Sequence, residues 1–396
     1  MKYLFIGGFY NPNEIEYVID NNSAGIQFAA DRLQWNYLRG FCDNNVDVEG
    51  MSKPFLSSYP KRSKILNVKS STYVAEGIKV CQVGYCNLFA YKLVRERDII
   101  YKAVLNKIKS IDDDVTVVFY SPQTAYLDVI KKLKSKVSNL KIILIVPDLP
   151  ILTSESTKKD IRYVLRSIAQ KKLEQSKNYV DKYVFLTDKM AEWLGVCGEQ
   201  YVVIDGIIPS ETEKREYCQK NAIEGKSILY TGTLTRRYGV MNLVNAFELL
   251  KDTNYRLVIC GQGATEEEIK AKASQDNRII YKGNLPPSEI YKLQKEASVL
   301  VNPRQNVGEY TKYSFPSKMM EYLLSGTPIV CYKLDGYDKQ YDDYFYYPKD
   351  NTIEALVEKL EEVLNFDDAK REEIFNNQTK FVLQNKTPKE QVRKIL

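Results

Sequence analysis

The chain has 396 residues, 44% of them apolar, with a net charge of +6, seven cysteines and no histidine. That length and composition predict a soluble globular protein of two domains, and no run of about 18 apolar residues announces a transmembrane helix. The missing imidazole excludes Ser-His-Asp and Cys-His catalysis, histidine-held metals and the kinase H-R-D loop. Chemistry must therefore rest on carboxylates, cations, hydroxyls or backbone dipoles.

In chain order, the opening MKYLFIGGFY is too short and too strand-like for a secretory signal. An odd number of cysteines without C-x-x-C spacing predicts free thiols in a reducing cytoplasm. Apolar runs predict strands at 3–7, 115–120, 141–146, 182–186 and 201–204, and helical periodicity predicts helices near 25–40, 123–136 and 157–177. Residues 41–90, rich in Ser, Asn and Tyr, read as a less regular extension of the first domain. The whole excess charge falls in residues 1–205, and residues 91–178 carry +8. Such runs are solvated helix faces or a basic surface for anionic headgroups or an anionic acceptor; no nucleic-acid-binding module accompanies them. Asp112-Asp113-Asp114 precedes a strand and reads as a solvated turn, so no metal site is expected.

The polar stretch from Asp205 to Lys226 reads as a linker. Beyond it the alternation is cleaner, with strands expected at 227–231, 256–260, 278–281, 298–301 and 328–332. Helices are expected at 240–251, 266–273, 288–297, 316–325 and 352–365. Repeated strand–helix units predict an α/β fold of two Rossmann-like parallel-sheet domains, residues 1–205 and 206–380, facing a central cleft. Ligands in such folds bind at the carboxyl ends of the strands.

The stretch YTKYSFPSKMMEYLLSGTPIV, residues 310–330, carries an unusual helix start. Pro316 suits a first turn, and the pairs Met319/Leu323 and Met320/Leu324 define a buried stripe. Glu321 stands at the margin of that stripe. It does not complete a capping box, because the third residue after Ser317 is Met320. An ion pair with Lys318 is open to it. Lys318 itself has the wrong sign for a helix N-terminus unless an external anion sits there.

This stretch resembles the donor-site motif of family-4 glycosyltransferases of the GT-B type, in which E-x7-E precedes a small-residue helix end and G-x-P-V-V. The resemblance implies that Glu321 holds the ribose of a nucleotide sugar. The family's first glutamate falls on Tyr313, so contacts to the donor sugar spread over Tyr313, Ser314 and nearby backbone amides, with Glu309 as an alternative, and Phe315, Pro316 and Ser317 complete the implied nucleotide-sugar-binding stretch. In ILYTGTLTRRYGV, the resemblance places Gly232 beside the diphosphate and Arg236 or Arg237 in place of the usual basic residue. Gly261 and Gly263, explicable as a tight turn, correspond to the next glycine loop, and Asn284 and Leu285 lie where the base is expected. In the first domain, Gly25 corresponds to the family's glycine loop, unless Asn22 or Ser23 simply caps the helix. Asp148 stands near the point where the family often has a catalytic histidine; the alternative is a turn residue.

What the resemblance implies is a retaining, metal-independent transfer from a nucleotide sugar, UDP- or GDP-linked, without a cofactor. Glu321, Asp148, Lys318 and Arg237 are the expected catalytic set. The acceptor is expected to be a glycan or lipid-linked saccharide in bacterial surface-polysaccharide synthesis, at the cytoplasmic face of the membrane, with the terminal helix 381–396 packing back on the first domain. A catalytically inactive nucleotide-sugar-binding subunit and a nucleotide-sugar epimerase are the rivals. The missing histidine counts against the second.

Overall fold

A computed structural model describes residues 1–23, 26–150, 161–209 and 225–396. It divides into two units, Met1–Ser210 with Thr387–Leu396, and Glu211–Lys386.

The first unit contains β1 (Lys2–Gly7), α1 (Ile15–Asn21), α2 (Phe28–Asp43), β2 (Val48–Ser52), β3 (Asn67–Val68), β4 (Ser71–Ala75), β5 (Ile78–Gln82) and β6 (Tyr85–Cys86). It continues with α3 (Phe89–Lys109), β7 (Val115–Tyr120), α4 (Thr124–Lys134), β8 (Lys141–Val146), α5 (Ile161–Gln175), β9 (Lys182–Phe185), α6 (Asp188–Leu194) and β10 (Tyr201–Val203). Eight strands form one sheet in the order β10-β9-β8-β7-β1-β2-β5-β4. Every pairing is parallel except β4 with β5. The central runs VTVVFY and KIILIV are almost wholly apolar because a parallel strand with helices on both faces has no solvent side.

Residues 41–90 differ from expectation. They supply β2, β5 and β4, which extend the sheet past β1, and are not irregular. The strand VEGMS was hidden because it is buried along its length while carrying polar residues. Glu49 is neutralised by Lys2 and Lys107, both distant in sequence. The next residue after the strand, Lys53, is buried against Glu96. Charges paired this way can be buried without an apolar pattern to announce them.

The second unit contains β11 (Lys226–Thr231), α7 (Val240–Leu249), β12 (Tyr255–Cys260), α8 (Glu266–Gln275), β13 (Ile279–Gly283), α9 (Pro287–Glu296) and β14 (Val299–Asn302). It ends with α10 (Lys318–Ser325), β15 (Ile329–Cys331), β16 (Phe345–Tyr346), α11 (Ile353–Leu364) and α12 (Asp368–Asn385). The sheet order is β13-β12-β11-β14-β15-β16, parallel throughout. Its core joins Leu257 and Val299 of the strands to Leu243 and Phe247 of α7 and Leu356 and Leu360 of α11. Thr352 starts α11 as an N-cap, its hydroxyl accepting from the Ala355 amide at 3.2 Å.

The chain then returns to the first unit at Thr387, and α13 (Pro388–Arg393) packs on α2. Val392 and Ile395 join the core around Leu38 and Phe41, and Lys182 Nζ donates to the Ile395 carbonyl at 3.0 Å. The contact is close because Gly40 has no side chain: a Cβ there would stand 2.4 Å from both the Pro388 carbonyl oxygen and Val392 Cγ2. Gly→Ala inside a helix ordinarily stabilises by about 0.5–1 kcal/mol, whereas overpacking costs about 1–3 kcal/mol. Gly40→Ala is therefore expected to lower stability by about 1–2 kcal/mol, read from the urea midpoint; an unchanged or raised midpoint would show that α13 is not seated on α2.

Candidate functional site

In a parallel sheet the loops after successive strands emerge at one edge, so their backbones can meet there. After β11 and β12 they do. Gly232 N donates to Cys260 O at 3.0 Å, Leu234 N to Gln262 O at 2.9 Å and Thr265 N to Leu234 O at 3.1 Å. Gly261, at φ +138°, lies so close to this loop that a Cβ would stand 1.9 Å from the Gly232 carbonyl oxygen, and one on Gly263 would stand 2.2 Å from that of Leu234. Both glycines are thus required by loop packing itself. Asn284 and Leu285 follow at the end of β13, beside β12 in the sheet.

Helix α10 starts at this same edge, between β14 and β15. It begins at Lys318, two residues later than expected, with Ser317 making no side-chain cap. The apolar stripe is as the sequence indicates: Met319, Met320, Leu323 and Leu324 are all buried. Tyr322, also buried, ties the helix to the end of β11, its hydroxyl accepting from the Thr231 amide at 3.0 Å. Gly326 closes the helix in the left-handed conformation.

Lys318 is the unusual group. Its Nζ is buried and has no hydrogen-bond partner among the described residues. It lies 3.9 Å from the centre of the Tyr230 ring, and a Cβ on Gly232 would be 3.5 Å from it. Burial, reinforced by the nearby Arg304 guanidinium and only partly opposed by Glu321, pulls its pKa down to about 7. A cation–π contact offsets part of the desolvation but supplies no acceptor.

Arg304, just past β14, was not anticipated. It is 7% exposed, donates from Nη2 to Ser314 Oγ at 3.0 Å and leaves Nε buried and without a partner among the described residues. Its guanidinium lies 4.4 Å from the Tyr310 ring centre, and that of Arg237 lies 3.7 Å from the same ring. Thr235 Oγ1, Thr265 Oγ1 and Asn302 Oδ1 are also buried without partners among the described residues. Buried polar atoms are as a rule hydrogen-bonded, and these stand together at one sheet edge. Arg237, Arg304 and Lys318 add cationic side chains to the same edge. The signal that could have revealed Arg304 is close to the one used for Arg237, a cation in the loop at the carboxyl end of a buried strand.

The remaining expected residues are placed as follows. Glu321 sits in the first turn of α10, half-buried. Arg236 is turned out to solvent, 71% exposed at the side chain, and pairs with Glu268 at 2.6 Å. Tyr313 ends a 3-10 turn, Glu309–Tyr313, whose first residue pairs with Lys312 at the surface. Ser314 donates to the Tyr310 carbonyl at 2.9 Å. Phe315 points into an aromatic cluster with Tyr337 and Tyr341. Pro316 and Ser317 offer their carbonyls to Met319 and Met320. Asp148 belongs to the other unit, exposed at the end of β8. Gly25 lies outside the described residues.

The buried amine has a measurable signature. Its folded pKa lies below the unfolded value, so between pH 7 and about 10 the unfolded chain binds more protons and stability rises with pH. Lys318→Met, which retains the stem without the amine, is expected to stabilise the ligand-free protein by about 1–3 kcal/mol at pH 7. The advantage should shrink as pH approaches 10; a pH-independent difference in thermal midpoints would contradict burial of the amine.

Residues 213–395 match the family described as Glycosyl transferases group 1. No curated protein sequence matches the chain. Among solved structures, sucrose-phosphate synthase from Thermosynechococcus elongatus aligns over 100% of this chain and 97% of its own, at 12% identity and a TM-score of 0.65. TarM from S. aureus, a mutant bound to fondaparinux, α-GlcNAc-glycerol and UDP, aligns over 100% and 99%, at 10% identity and a TM-score of 0.62. HepE from Anabaena in complex with UDP aligns over 100% and 98%, at 11% identity and a TM-score of 0.61. The chain has the GT-B architecture, and its match to the group 1 glycosyltransferase model is confined to residues 213–395.

Proposed function

We propose that the protein is a retaining, metal-independent glycosyltransferase of family 4, passing a sugar from a UDP- or GDP-sugar to a saccharide or lipid-linked saccharide. Its place would be bacterial surface-polysaccharide synthesis at the cytoplasmic face of the membrane. The observation that carries the reading is the buried, unpartnered Lys318 ammonium beside Arg304, at the start of α10. A nucleoside diphosphate supplies what that site lacks, two phosphates whose oxygens accept from Lys318, Arg304 and Arg237. The UDP bound by HepE and TarM supports the same choice of ligand class.

In the reaction the bond between the anomeric carbon and the diphosphate oxygen breaks, and a bond to the acceptor oxygen forms. The acceptor's proton passes to the leaving phosphate, so no histidine is needed. Negative charge grows on the diphosphate as it leaves, and fixed cations stabilise that state more than the bound donor. Glu321, in the first turn of α10, holds the ribose, and Asp148 lies with the acceptor unit. Gly232 allows close approach of the phosphates, while Asn284 and Leu285 border the base.

Lys318→Ala and Arg237→Ala should each weaken nucleoside diphosphate binding by about 1–3 kcal/mol. At pH 8 binding to the native protein should take up a proton, visible as a buffer-dependent enthalpy that Lys318→Ala removes. Unchanged affinity in both variants would sink the assignment. Glu321→Ala should cut nucleotide release from a panel of nucleotide sugars by about 100-fold. Tight donor binding with no turnover by any acceptor would instead favour the inactive binding subunit, the reading that Tyr313 at the first motif position supports.

A further inference from the structure

The loops that follow β11 and β14 touch at the carboxyl edge of the second sheet. Gly239, at φ +75°, lies so close to the second loop that a Cβ would stand 1.9 Å from the Pro303 carbonyl oxygen. Asn242 Nδ2 donates to Gln305 Oε1 at 2.9 Å across the same junction. Each loop brings one arginine there, Arg237 from the first and Arg304 from the second. Both guanidiniums lie against the ring of Tyr310, 3.7 and 4.4 Å from its centre. Two like charges on one ring stand within about 8 Å of each other.

The preceding arginine is held differently. Arg236 turns outward and is neutralised by Glu268. Arg304 has no carboxylate partner among the described residues, and its hydrogen bond to Ser314 is with a neutral hydroxyl. Lys318 likewise rests on a ring, that of Tyr230. An aromatic face attracts a cation through its quadrupole but leaves the formal charge in place. A carboxylate also holds a guanidinium, but an arriving phosphate must then displace it. A ring fixes the planar group by its face and leaves the edge of N–H donors uncovered.

Tyr310 is itself tied to both arginines. It is half-buried, on the 3-10 turn Glu309–Tyr313. Its hydroxyl donates to the Arg237 carbonyl at 3.4 Å. Its own carbonyl accepts from Ser314 Oγ, the atom that in turn accepts from Arg304. The contacts close on themselves, so displacement of the ring would release both guanidiniums together.

We propose that Tyr310 is a positioning residue, whose ring holds Arg237 and Arg304 together for an anion that carries two charged groups. It acts through the two guanidiniums and not through a contact of its own with that anion. The inference rests on the proposed diphosphate site and names the residue on which the placing of its two arginines depends.

The test is calorimetric titration of the full chain with UDP, GDP and inorganic pyrophosphate. Tyr310→Leu keeps bulk and removes the π face, and should weaken binding about tenfold; Tyr310→Phe keeps the face and should stay within about twofold of native protein. In an Arg304→Ala background the loss caused by Tyr310→Leu should shrink to about threefold, because only Arg237 is left to position. A full tenfold loss in that background would overturn the proposal, since damage to packing or folding would persist there. So would a Tyr310→Phe variant as weak as Tyr310→Leu. Nucleotide affinity unchanged in Tyr310→Leu would sink the role of Tyr310 and leave the transferase reading standing. Native protein that binds pyrophosphate but neither nucleotide would sink the transferase reading, and the pyrophosphate titrations would then decide the role of Tyr310. Native protein that binds none of the three would overturn both.

Discussion

An amine buried without an acceptor among the described residues carries a desolvation cost whenever it is charged. In the C-terminal unit that cost falls on Lys318, and the surrounding structure maintains it. Tyr322 fixes α10 to the end of β11, Tyr230 lies against the amine, and Arg304 stands close enough to repel the charged form. Relaxation of the side chain toward solvent would relieve the cost, but a buried stripe on one side and two glycine loops packed backbone to backbone on the other limit that freedom. Under the proposed function, stability is thereby exchanged for a preorganised anion site, in which little reorganisation is needed when charge arrives.

Much of this edge was legible in the sequence, because its elements follow simple periodicity. The strands of the second unit are short apolar runs and α10 has paired apolar positions, so the anti-dipolar lysine and the marginal glutamate stood out against them. Arg304 was harder to see. It follows a strand like any loop cation, and only the burial of its unpartnered Nε separates it from a surface arginine. Gly261 and Gly263 show the converse, since a motif that suggests a ligand also has a complete explanation in loop packing.

The first unit was legible in its centre and not at its flank. β1, β7 and β8 carry continuous apolar runs, whereas β2 buries Glu49, whose partners Lys2 and Lys107 lie far away along the chain. A pattern of burial that depends on such pairing cannot be read from local hydropathy. Helix α12 was also missed, since its weak amphipathicity buries only Ile374, Phe375, Gln378, Phe381 and Val382 over eighteen residues.

The return of α13 to the first unit bears on how the protein is made. Domains generally fold as they emerge during synthesis, at about 5–20 residues per second. Here the groove on α2 at Gly40 cannot be filled until Val392 and Ile395 have been translated, although the rest of that unit's sheet is complete with β10 at Val203. The nascent unit therefore waits roughly ten to forty seconds with part of its core uncovered. During that interval the apolar flank around Leu38 and Phe41 is available to chaperones or to aggregation, and the last residues act as a late-arriving plug.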